Sequence, residues 1–320
     1  MGSEMPAVSV IIVSYNTREM TLRCLRTVIA DLAGIASDIW VVDNASQDGS
    51  ADAIRSEFPD VHLIVNPDNA GFGAANNLAM LQAQGETFLL LNSDAFVHAG
   101  AVKALMDCAK RHPDAAVIGP RLVNSDGSLQ VSCYRFPSPS RAWLENLWIS
   151  SLFPNSRVFG DYRRWAHDSE CVVDSVIGAC MLVRREAFTE TGGFDERYFM
   201  YQEETDWQRS LLEVGSNVVF TPTAVVTHLG GASGKAESER VNSHFFDSLD
   251  LYQRKHHGIL GVISVRAAMV VGCFMRAAAW GVVSVVMPKR RNAASVKSRF
   301  HARLCLRQAT HRAGSAKGIS

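Results

Sequence analysis

The chain has 320 residues, of which 47% are hydrophobic and 20% are charged, and this composition is typical of globular proteins rather than collagens, disordered tails or multi-span transporters. The formal net charge is zero, but residues 1–250 hold 19 Lys and Arg against 32 Asp and Glu, whereas residues 251–320 hold 13 basic and no acidic residues. Such an acid-free segment predicts attraction to an anionic partner, either a nucleic acid or the cytoplasmic leaflet of a membrane.

The seven cysteines are scattered and form no C-x-x-C pair. This pattern favours reduced thiols in a cytosolic protein over a disulfide framework or a zinc site. The N-terminus shows neither a charged region nor an apolar region followed by a cleavage site, so no secretion signal is expected.

Apolar strands alternate with helices over the first 120 residues. Strands are predicted at 8–13, 39–42, 62–65 and 87–91, and helices at 17–32, 51–58 and 73–84. Because strands without polar alternation are covered on both faces, the sequence predicts a doubly wound α/β unit with a mostly parallel central sheet.

The second part of the chain is less regular. Asn124–Gly127 predicts a hairpin turn, the aromatic stretch 133–171 has no clear period, and 175–183 reads as a strand. A helix is predicted over 203–214, and strands at 218–220 and 225–228 complete the core.

Ligands bind beyond the carboxyl ends of the strands in such sheets. The loops expected there, at 14–17, 43–48, 66–73 and 92–94, are rich in Asn, Asp, Ser and Gly. Asp94 closes an apolar strand, where a carboxylate can ligate a divalent cation that bridges two phosphates, and Asp43 can read a base or ribose. Each residue alone is equally explained by a turn or a helix cap.

Three further features carry less information by themselves. Gly71-x-Gly73 lies between a strand and a helix, but position 76 is Asn, so a dinucleotide fingerprint is not favoured. Glu203, Glu204 and Asp206 begin a helix, whose dipole would help to keep a general base ionised, although acidic residues are favoured in any first turn. His228, before the loop 230–233, is a potential metal ligand, although most single histidines are not.

The order of the motifs is more specific than any one of them. The segments VSVIIVSYN (8–16), VVDNASQDGS (41–50), NAGFGAANN (69–77), LLLNSD (89–94), GGFD (192–195) and FMYQEETDW (199–207) follow one another. The chain thereby resembles the inverting glycosyltransferases of family 2, which have the GT-A nucleotide-diphospho-sugar transferase fold, and within them the rhamnosyltransferase-like branch. The resemblance covers about residues 8–232 and implies a GT-A catalytic domain over 1–250, with a nucleotide half at about 8–120 and an acceptor half at about 121–250.

The resemblance also assigns roles to individual residues. The donor-binding residues that it implies are Ser14, Tyr15, Asn16, Asp43, Asn44, Asn69, Gly71, Phe72, Asn92, Ser93 and Asp94. Asp94 matches the last residue of the family's D-x-D motif, in which Asn92 replaces the first Asp, as also occurs in the rhamnosyltransferase-like branch. Asp94 and His228 would bind Mg²⁺ or Mn²⁺, with one anionic ligand fewer than in most of the family.

By the same resemblance, Glu204 occupies the position of the general base, within the acidic pair that it forms with Glu203, and Asp206 is the second candidate. The implied reaction moves a single sugar, with inversion, from a nucleoside diphosphate sugar to a hydroxyl of an acceptor. The Q-x-x-R-W motif of processive synthases is not matched, since Asp161 stands where Gln is needed.

The first donor to test is dTDP-rhamnose, and UDP-sugars stay open. The expected acceptor is a polyprenyl diphosphate-linked glycan in cell-wall or surface polysaccharide biosynthesis. A catalytically silent sugar-nucleotide-binding protein and an NAD-dependent enzyme are the alternatives.

The apolar segment 259–287 contains Arg266 and Arg276, which disfavours a simple membrane span. A helix at ~100° per residue would hold Lys255, Arg266 and Arg276 toward lipid headgroups, and the basic residues 289–291 would add attraction to anionic lipid. This predicts an amphipathic C-terminal segment, 251–320, on the cytoplasmic face of the plasma membrane, in a peripheral or monotopic arrangement. The alternative is a helix packed on the catalytic domain or in a homodimer. Nucleic-acid binding is not expected, because no aromatic residues alternate with the basic ones.

Overall fold

The computed structural model describes residues 5–153, 156, 159–160, 165–230 and 238–310. The chain divides into two compact units, residues 1–136 with 165–245 and residues 137–164 with 246–320. Asp161, and residues 231–233 of the predicted glycine loop, lie outside the described residues. The functional division at residue 250 stays a prediction.

The described strands and helices alternate over the first half of the chain. The strands are β1 (Val8–Ser14), β2 (Ser37–Asp43), β3 (His62–Val65), β4 (Thr87–Asn92), β5 (Ala95–Val97), β6 (Ala115–Val123), β7 (Leu129–Gln130), β8 (Cys133–Tyr134), β9 (Cys171–Val173), β10 (Ser175–Val176), β11 (Cys180–Arg184) and β12 (Asn217–His228). The helices are α1 (Arg18–Asp31), α2 (Ser50–Glu57), α3 (Phe72–Met80), α4 (Ala101–Arg111), α5 (Pro139–Asn146), α6 (Ile149–Leu152), α7 (Arg185–Thr191), α8 (Glu203–Glu213), α9 (Ser238–Val286) and α10 (Arg291–Thr310).

The first unit is built on a mixed sheet with the strand order β3-β2-β1-β4-β11-β6-β12-β5. Strands β3, β2, β1 and β4 are parallel, as predicted from their continuous apolar runs, whereas β11 pairs antiparallel with both β4 and β6. Helix α1 buries Leu22, Leu25 and Val28 in the core that the sheet forms. The predicted GT-A architecture is confirmed, with a sheet that is mixed overall.

Two parts of the prediction differ in detail from the observed elements, and one stretch without a prediction contains short elements. The run 175–183 contains two strands, because residues 177–179 leave the strand conformation between β10 and β11. The last two predicted strands are one strand, β12, whose pairing with β6 shifts in register between Thr221 and Val225. The unassigned stretch 133–171 contains the short elements β8, α5 and α6.

The second unit contains α5, α6, the larger part of α9, and α10. Helix α9 is broken at Gly258 (φ 66°, ψ −171°), a conformation that glycine adopts without the steric cost of a side chain. Residues 259–286 are called the C-terminal arm of α9 below. By length and composition alone, His244–Val286 is apolar enough to cross a bilayer.

The expected common direction of Lys255, Arg266 and Arg276 is not observed. The break at Gly258 separates Lys255 from the other two residues. The guanidinium of Arg266 forms an ion pair with Asp250, and Nη1 of Arg276 donates to Asn146 at 3.2 Å. Both arginines are therefore bound within the second unit, because polar partners on α5 and on the part of α9 before Gly258 compensate their partial burial.

Candidate active site

The ends of β1, β2 and β3 are joined by backbone hydrogen bonds. Ser14 and Asp43 are paired in the parallel register of β1 and β2, and Asn44 N–H donates to the Ser14 carbonyl at 2.8 Å. Asn66 N–H donates in turn to the Asp43 carbonyl at 2.9 Å. The polar loops that follow these strands therefore lie at one edge of the sheet.

Asp43 is almost completely buried at this edge, with 1% of its surface exposed. Its Oδ2 accepts a hydrogen bond from Ser46 N–H at 3.1 Å, whereas Oδ1 has no hydrogen-bond partner among the described residues. A buried acceptor without a partner is energetically costly, so this oxygen is a suitable acceptor for a donor group of a ligand.

Asn44 organises the loop after β3. Its Nδ2 donates to Asn69 Oδ1 at 2.7 Å and to the Gly71 carbonyl at 3.3 Å, and its Oδ1 accepts from Asn66 Nδ2 at 2.9 Å. Asn69 Oδ1 also accepts from Gly71 N–H at 3.1 Å. The side chains of Asn44 and Asn69 therefore hold the shape of this loop.

Gly71 permits a close approach of two distant segments. It has φ +88°, and a Cβ at this position would lie 2.4 Å from the Phe199 carbonyl oxygen. The next residue, Phe72, donates its backbone N–H to the same oxygen at 3.2 Å. The loop 66–73 is thereby joined to the segment that leads into α8.

Ser14 and Ser93 belong to a buried cluster of hydroxyl groups. Ser14 Oγ lies 2.9 Å from Thr21 Oγ1, and Thr17 Oγ1 donates to Ser93 Oγ at 2.9 Å. These contacts connect β1, α1 and the end of β4. The structure thus gives both serines structural partners. The contact of Thr17 with Ser93 spans 76 residues, so no local pattern indicates it, whereas Thr21 follows Thr17 by one helical turn.

Asn16 connects two of the loops. It adopts φ 52°, its backbone N–H donates to Ser46 Oγ at 2.9 Å, and its Oδ1 accepts from Gln47 N–H at 2.8 Å. Tyr15 is half-buried beside it. The left-handed conformation suits Asn better than most residues, because its short side chain bonds to nearby backbone.

Asp94 and His228 meet where β4 passes into β5. Asp94 Oδ1 lies 3.3 Å from His228 Nε2, and both side chains are about one-tenth exposed. His228 is paired with Ala95 in the register of β12 and β5, and Leu229 N–H donates to the Asp94 carbonyl at 3.1 Å. The pairing of two strands more than 100 residues apart thus brings the two predicted metal ligands together.

Gln130 determines which nitrogen of His228 faces Asp94. Gln130 Nε2 donates to the carbonyl of His228 at 3.2 Å and to Asn124 Oδ1 at 3.0 Å, so Gln130 Oε1 is the atom that faces Nδ1 of the imidazole, at 2.7 Å. This oxygen can accept the Nδ1 proton, and in the neutral imidazole the Nε2 lone pair then points at a carboxylate oxygen. Two acceptors 3.3 Å apart repel each other unless a proton or a cation lies between them.

Asn92 links this pair to α8 through the residues 177–179 that precede β11. Its backbone N–H donates to the Ala179 carbonyl at 3.0 Å, and its buried Oδ1 has no hydrogen-bond partner in the described part of the chain. The neighbouring Gly178 lies between the two other parts of the site. A Cβ there would be 3.3 Å from the Phe72 ring and 3.6 Å from Glu204 Cβ.

The acidic pair at the start of α8 lies at the same edge, where Glu203 is buried and Glu204 is half-buried. The carboxyl of Glu204 accepts a backbone hydrogen bond from Gly178, and a Cβ at Gly73 would lie 3.7 Å from Glu203 Cβ. Neither Oε2 of Glu203 nor Oε2 of Glu204 has a hydrogen-bond partner among the described residues. The loop 66–73, the end of β4 and the acidic pair therefore adjoin one another.

Burial raises the pKa of both glutamates, and the charge of Glu204 raises the pKa of Glu203 further. The expected effect of the helix dipole, which favours the ionised form, is thus outweighed by desolvation. Because two adjacent carboxylates repel each other, ionisation of one glutamate disfavours ionisation of the other.

Asp206 is engaged differently. It is 1% exposed, and its Oδ1 accepts a hydrogen bond from the hydroxyl of Tyr198 at 3.2 Å. Its backbone N–H donates to the Gln202 carbonyl at 2.7 Å. Asp206 therefore anchors the segment before α8, which makes it a weaker candidate for the base than Glu204.

Gln208, which the sequence analysis missed, holds Gly178 in place. Its Oε1 accepts from Val176 N–H and its Nε2 donates to the Val176 carbonyl, both at 2.8 Å, so the side-chain amide pairs with β10 as a strand would. Nε2 also donates to the Glu204 carbonyl at 2.9 Å. Its position four residues after Glu204, on the same helix face, is the signal that could have indicated it.

The fold and the polar edge of the sheet define the class of the protein, a nucleotide-diphospho-sugar transferase with GT-A architecture. The sequence model of glycosyl transferase family 2 matches residues 9–192, more than half of the chain. The chain belongs to glycosyltransferase family 2 and is a glycosyltransferase.

Named relatives and a solved structure agree with this membership. The chain is 30% identical over 260 residues to the N-acetylglucosaminyl-diphospho-decaprenol L-rhamnosyltransferase of Mycobacterium tuberculosis, covering 74% of this chain and 84% of that protein. It is 29% identical over 239 residues to an O-antigen biosynthesis protein of Myxococcus xanthus, covering 73% of this chain and 18% of that protein. A mannosyltransferase from Pyrobaculum calidifontis, solved in complex with GDP-Man and Mn²⁺, shares the fold with a TM-score of 0.56 at 16% identity, covering 96% of this chain and 88% of that one.

Proposed function

We propose that the chain transfers a single sugar, with inversion, from a nucleoside diphosphate sugar to a hydroxyl of a lipid-linked glycan. One observation carries the proposal: the loop 66–73, the end of β4 that leads to Asp94, and the half-buried Glu204 adjoin one another at one edge of the sheet. A diphosphate, its counter-ion and a general base are required at one place for this reaction.

The residues present fit a divalent cation. Asp94 Oδ1 and His228 Nε2 lie 3.3 Å apart, and neighbouring ligands of one octahedral ion are separated by about 3 Å. Asn92 Oδ1 is a further buried oxygen without a hydrogen-bond partner among the described residues. Asp94 and His228 would hold Mg²⁺ or Mn²⁺, and such an ion, when bound, neutralises the charge of the departing nucleoside diphosphate. The Mn²⁺ in the mannosyltransferase structure supports this proposal.

Glu204 acts as the general base in the proposed reaction. Its ionised carboxylate removes the proton from an acceptor hydroxyl, whose oxygen attacks the anomeric carbon as the bond from that carbon to the diphosphate oxygen breaks. A raised pKa brings a carboxylate closer to neutral pH and makes it a better proton acceptor. Gly178, Gln208 and the close Phe72 ring restrict where the carboxyl can lie.

The nucleoside is proposed to lie against Asp43 and the loop 66–73. The buried Oδ1 of Asp43 can accept a hydrogen bond from a base N–H or a ribose hydroxyl. The M. tuberculosis relative is named an L-rhamnosyltransferase, which supports dTDP-rhamnose as the first donor to test and keeps UDP-sugars as the second class.

The acceptor is proposed to be a polyprenyl diphosphate-linked glycan in cell-wall or surface polysaccharide biosynthesis. The name of the same relative specifies a sugar on a decaprenyl diphosphate, and the M. xanthus relative is named for O-antigen biosynthesis. A lipid-linked acceptor supports a membrane location. We propose the cytoplasmic face, where the acid-free segment 251–320 would be attracted to anionic lipid.

The test is transfer of sugar from dTDP-, UDP- and GDP-sugars, with Mg²⁺ or Mn²⁺, to a short-chain polyprenyl diphosphate GlcNAc. We expect one nucleotide class to support transfer, and Glu204→Gln to remove transfer while leaving nucleotide binding. Nucleotide binding without transfer from any donor, in wild-type protein, would contradict the proposal in favour of a silent sugar-nucleotide-binding protein. Oxidation of a substrate with NAD, and no binding of sugar nucleotides, would favour an NAD-dependent enzyme.

A further inference from the structure

One face of the C-terminal arm of α9 carries a continuous row of apolar side chains, called the apolar stripe. Its members recur every three or four residues, so they fall within an arc of about 100° on the helix. The six large ones are all exposed in the described part of the chain. The stripe consists of Leu260, Ile263, Ala267, Val271, Phe274, Ala278, Val282 and Val285.

The other faces of this arm are bound to helices of the same unit. Helix α10 contacts it through Ser298 Oγ, which donates to the Ala277 carbonyl at 2.9 Å. Arg276 donates to Asn146 of α5, and its guanidinium lies 5.4 Å from the centroid of the Trp148 ring. The protein therefore covers the other faces of the arm, which include the buried Val262 and Val265, and leaves the apolar stripe exposed.

Basic residues flank the apolar stripe at both ends. Arg254 and Lys255 are exposed before it, and residues 289–291 are all exposed after it. No acidic residue occurs between 251 and 320. Two copies that met stripe to stripe would bring like charges together, whereas an anionic surface complements them.

We propose that the apolar stripe enters the surface of an anionic bilayer, with the arm lying parallel to the membrane plane and its arginines held inside the protein. This inference rests on the membrane location proposed above and adds the surface that makes the contact. Lipid headgroups then meet the flanking basic residues, while the stripe reaches the acyl boundary.

A spanning helix is disfavoured by the contacts of the arm. The stripe is about 38 Å long, and the hydrocarbon core is about 30 Å thick, so length alone would allow a span. A span would surround the arm with lipid, however, and would place the Arg266–Asp250 pair and the Arg276–Asn146 bond in hydrocarbon. A helix bound on its polar faces and apolar on the remaining one suits the interface.

Vesicle flotation of the full chain tests the surface directly. We expect binding to vesicles of equal parts phosphatidylglycerol and phosphatidylcholine, weaker binding to pure phosphatidylcholine, and roughly tenfold weaker binding to the anionic vesicles for Leu260→Asp. The control is Leu81→Asp in the first unit, because Leu81 is 73% exposed and Leu260 is 76% exposed. Phe274→Asp, at the middle of the stripe, gives a second variant if Leu260→Asp fails to fold by circular dichroism.

Equal binding of wild type, Leu260→Asp and Phe274→Asp, or no binding of wild type, would overturn the proposal. A monomer–dimer equilibrium that both stripe variants abolish, without vesicle binding, would assign the stripe to a second copy instead. The flotation uses neither donor nor acceptor, so a failure of the proposed glycosyl transfer leaves its outcome unchanged.

A separate measurement tests the orientation of the arm relative to the membrane plane. A fluorescent amino acid incorporated at position 263, 274 or 285 should be quenched by shallow spin-labelled lipids to a similar extent at all three positions. A graded depth from 263 to 285 would contradict the in-plane arrangement in favour of a span.

Discussion

The Nδ1 atom of His228 lies 2.7 Å from Oε1 of Gln130, across 98 residues of sequence. In the neutral imidazole this contact directs the Nε2 lone pair at Asp94, which is the arrangement in which both atoms can bind one cation. The most specific feature of the candidate metal site is thus a glutamine that does not itself contact the proposed ion.

Gln130→Met removes the acceptor of the Nδ1 proton while keeping a side chain of similar size. We expect Mn²⁺ affinity to fall about 10–100-fold, because the imidazole loses its fixed tautomer and orientation. Electron paramagnetic resonance of free Mn²⁺ measures this without any sugar transfer. Gln130→Glu retains an acceptor oxygen and should preserve most of the affinity, and the exposed Gln82→Met is the control. Unchanged Mn²⁺ affinity in Gln130→Met would refute the role of Gln130.

Substitution of Gly71 tests the loop 66–73, and substitution of Gly34 is the matched control. Both have positive φ, but a Cβ at Gly34 meets nothing within 4 Å, whereas one at Gly71 would be 2.4 Å from the Phe199 carbonyl oxygen. Gly34→Ala should lower the free energy of unfolding by about 1–2 kcal/mol through backbone strain alone. Gly71→Ala should lower the free energy of unfolding by more than Gly34→Ala does. It should also weaken nucleotide binding, since the loop must move away from Phe199. Urea denaturation and calorimetric titration with dTDP measure the two effects, and equal behaviour of the two variants would argue against the close approach.

The buried acidic pair makes stability depend on pH. Folding raises the pKa of Glu203 and Glu204, so their contribution to stability is complete below the unfolded pKa and is lost as pH rises through the folded values. We expect the free energy of unfolding of wild type to fall as pH rises above the ordinary glutamate pKa of 4.5, and Glu203→Gln to reduce that fall. The exposed Glu190→Gln should behave as wild type does. If Glu203→Gln shows the wild-type slope in urea denaturation, Glu203 does not ionise in the buried state that the structure describes.

The parallel half of the sheet was predictable because β1 and β4 are continuous apolar runs, which only a strand covered on both faces explains. The antiparallel β11 was not, because its direction depends on pairing with strands distant in sequence. The same reason applies to Gln130, because its contact with His228 spans 98 residues and nothing in the local sequence indicates it.

The C-terminal segment illustrates a different limit of prediction from the sequence. Helical spacing correctly placed Arg266 and Arg276 on one side of a helix, opposite an apolar face. Spacing could not show that Asp250 and Asn146 occupy that side, so the arginines were assigned to lipid headgroups. Charge and period determine which side of a helix is polar, and only packing determines what that side contacts.

The most direct test of the account is single-turnover transfer by Glu204→Gln, with dTDP-rhamnose as the first donor, measured together with affinity for the nucleoside diphosphate. We predict a transfer rate about 10²–10⁴-fold below wild type, because the base that accepts the hydroxyl proton is lost. The affinity should stay within about twofold, since Glu204 acts mainly in the transition state. Transfer by Glu204→Gln at the wild-type rate would contradict the assignment of Glu204 as the base at this edge of the sheet.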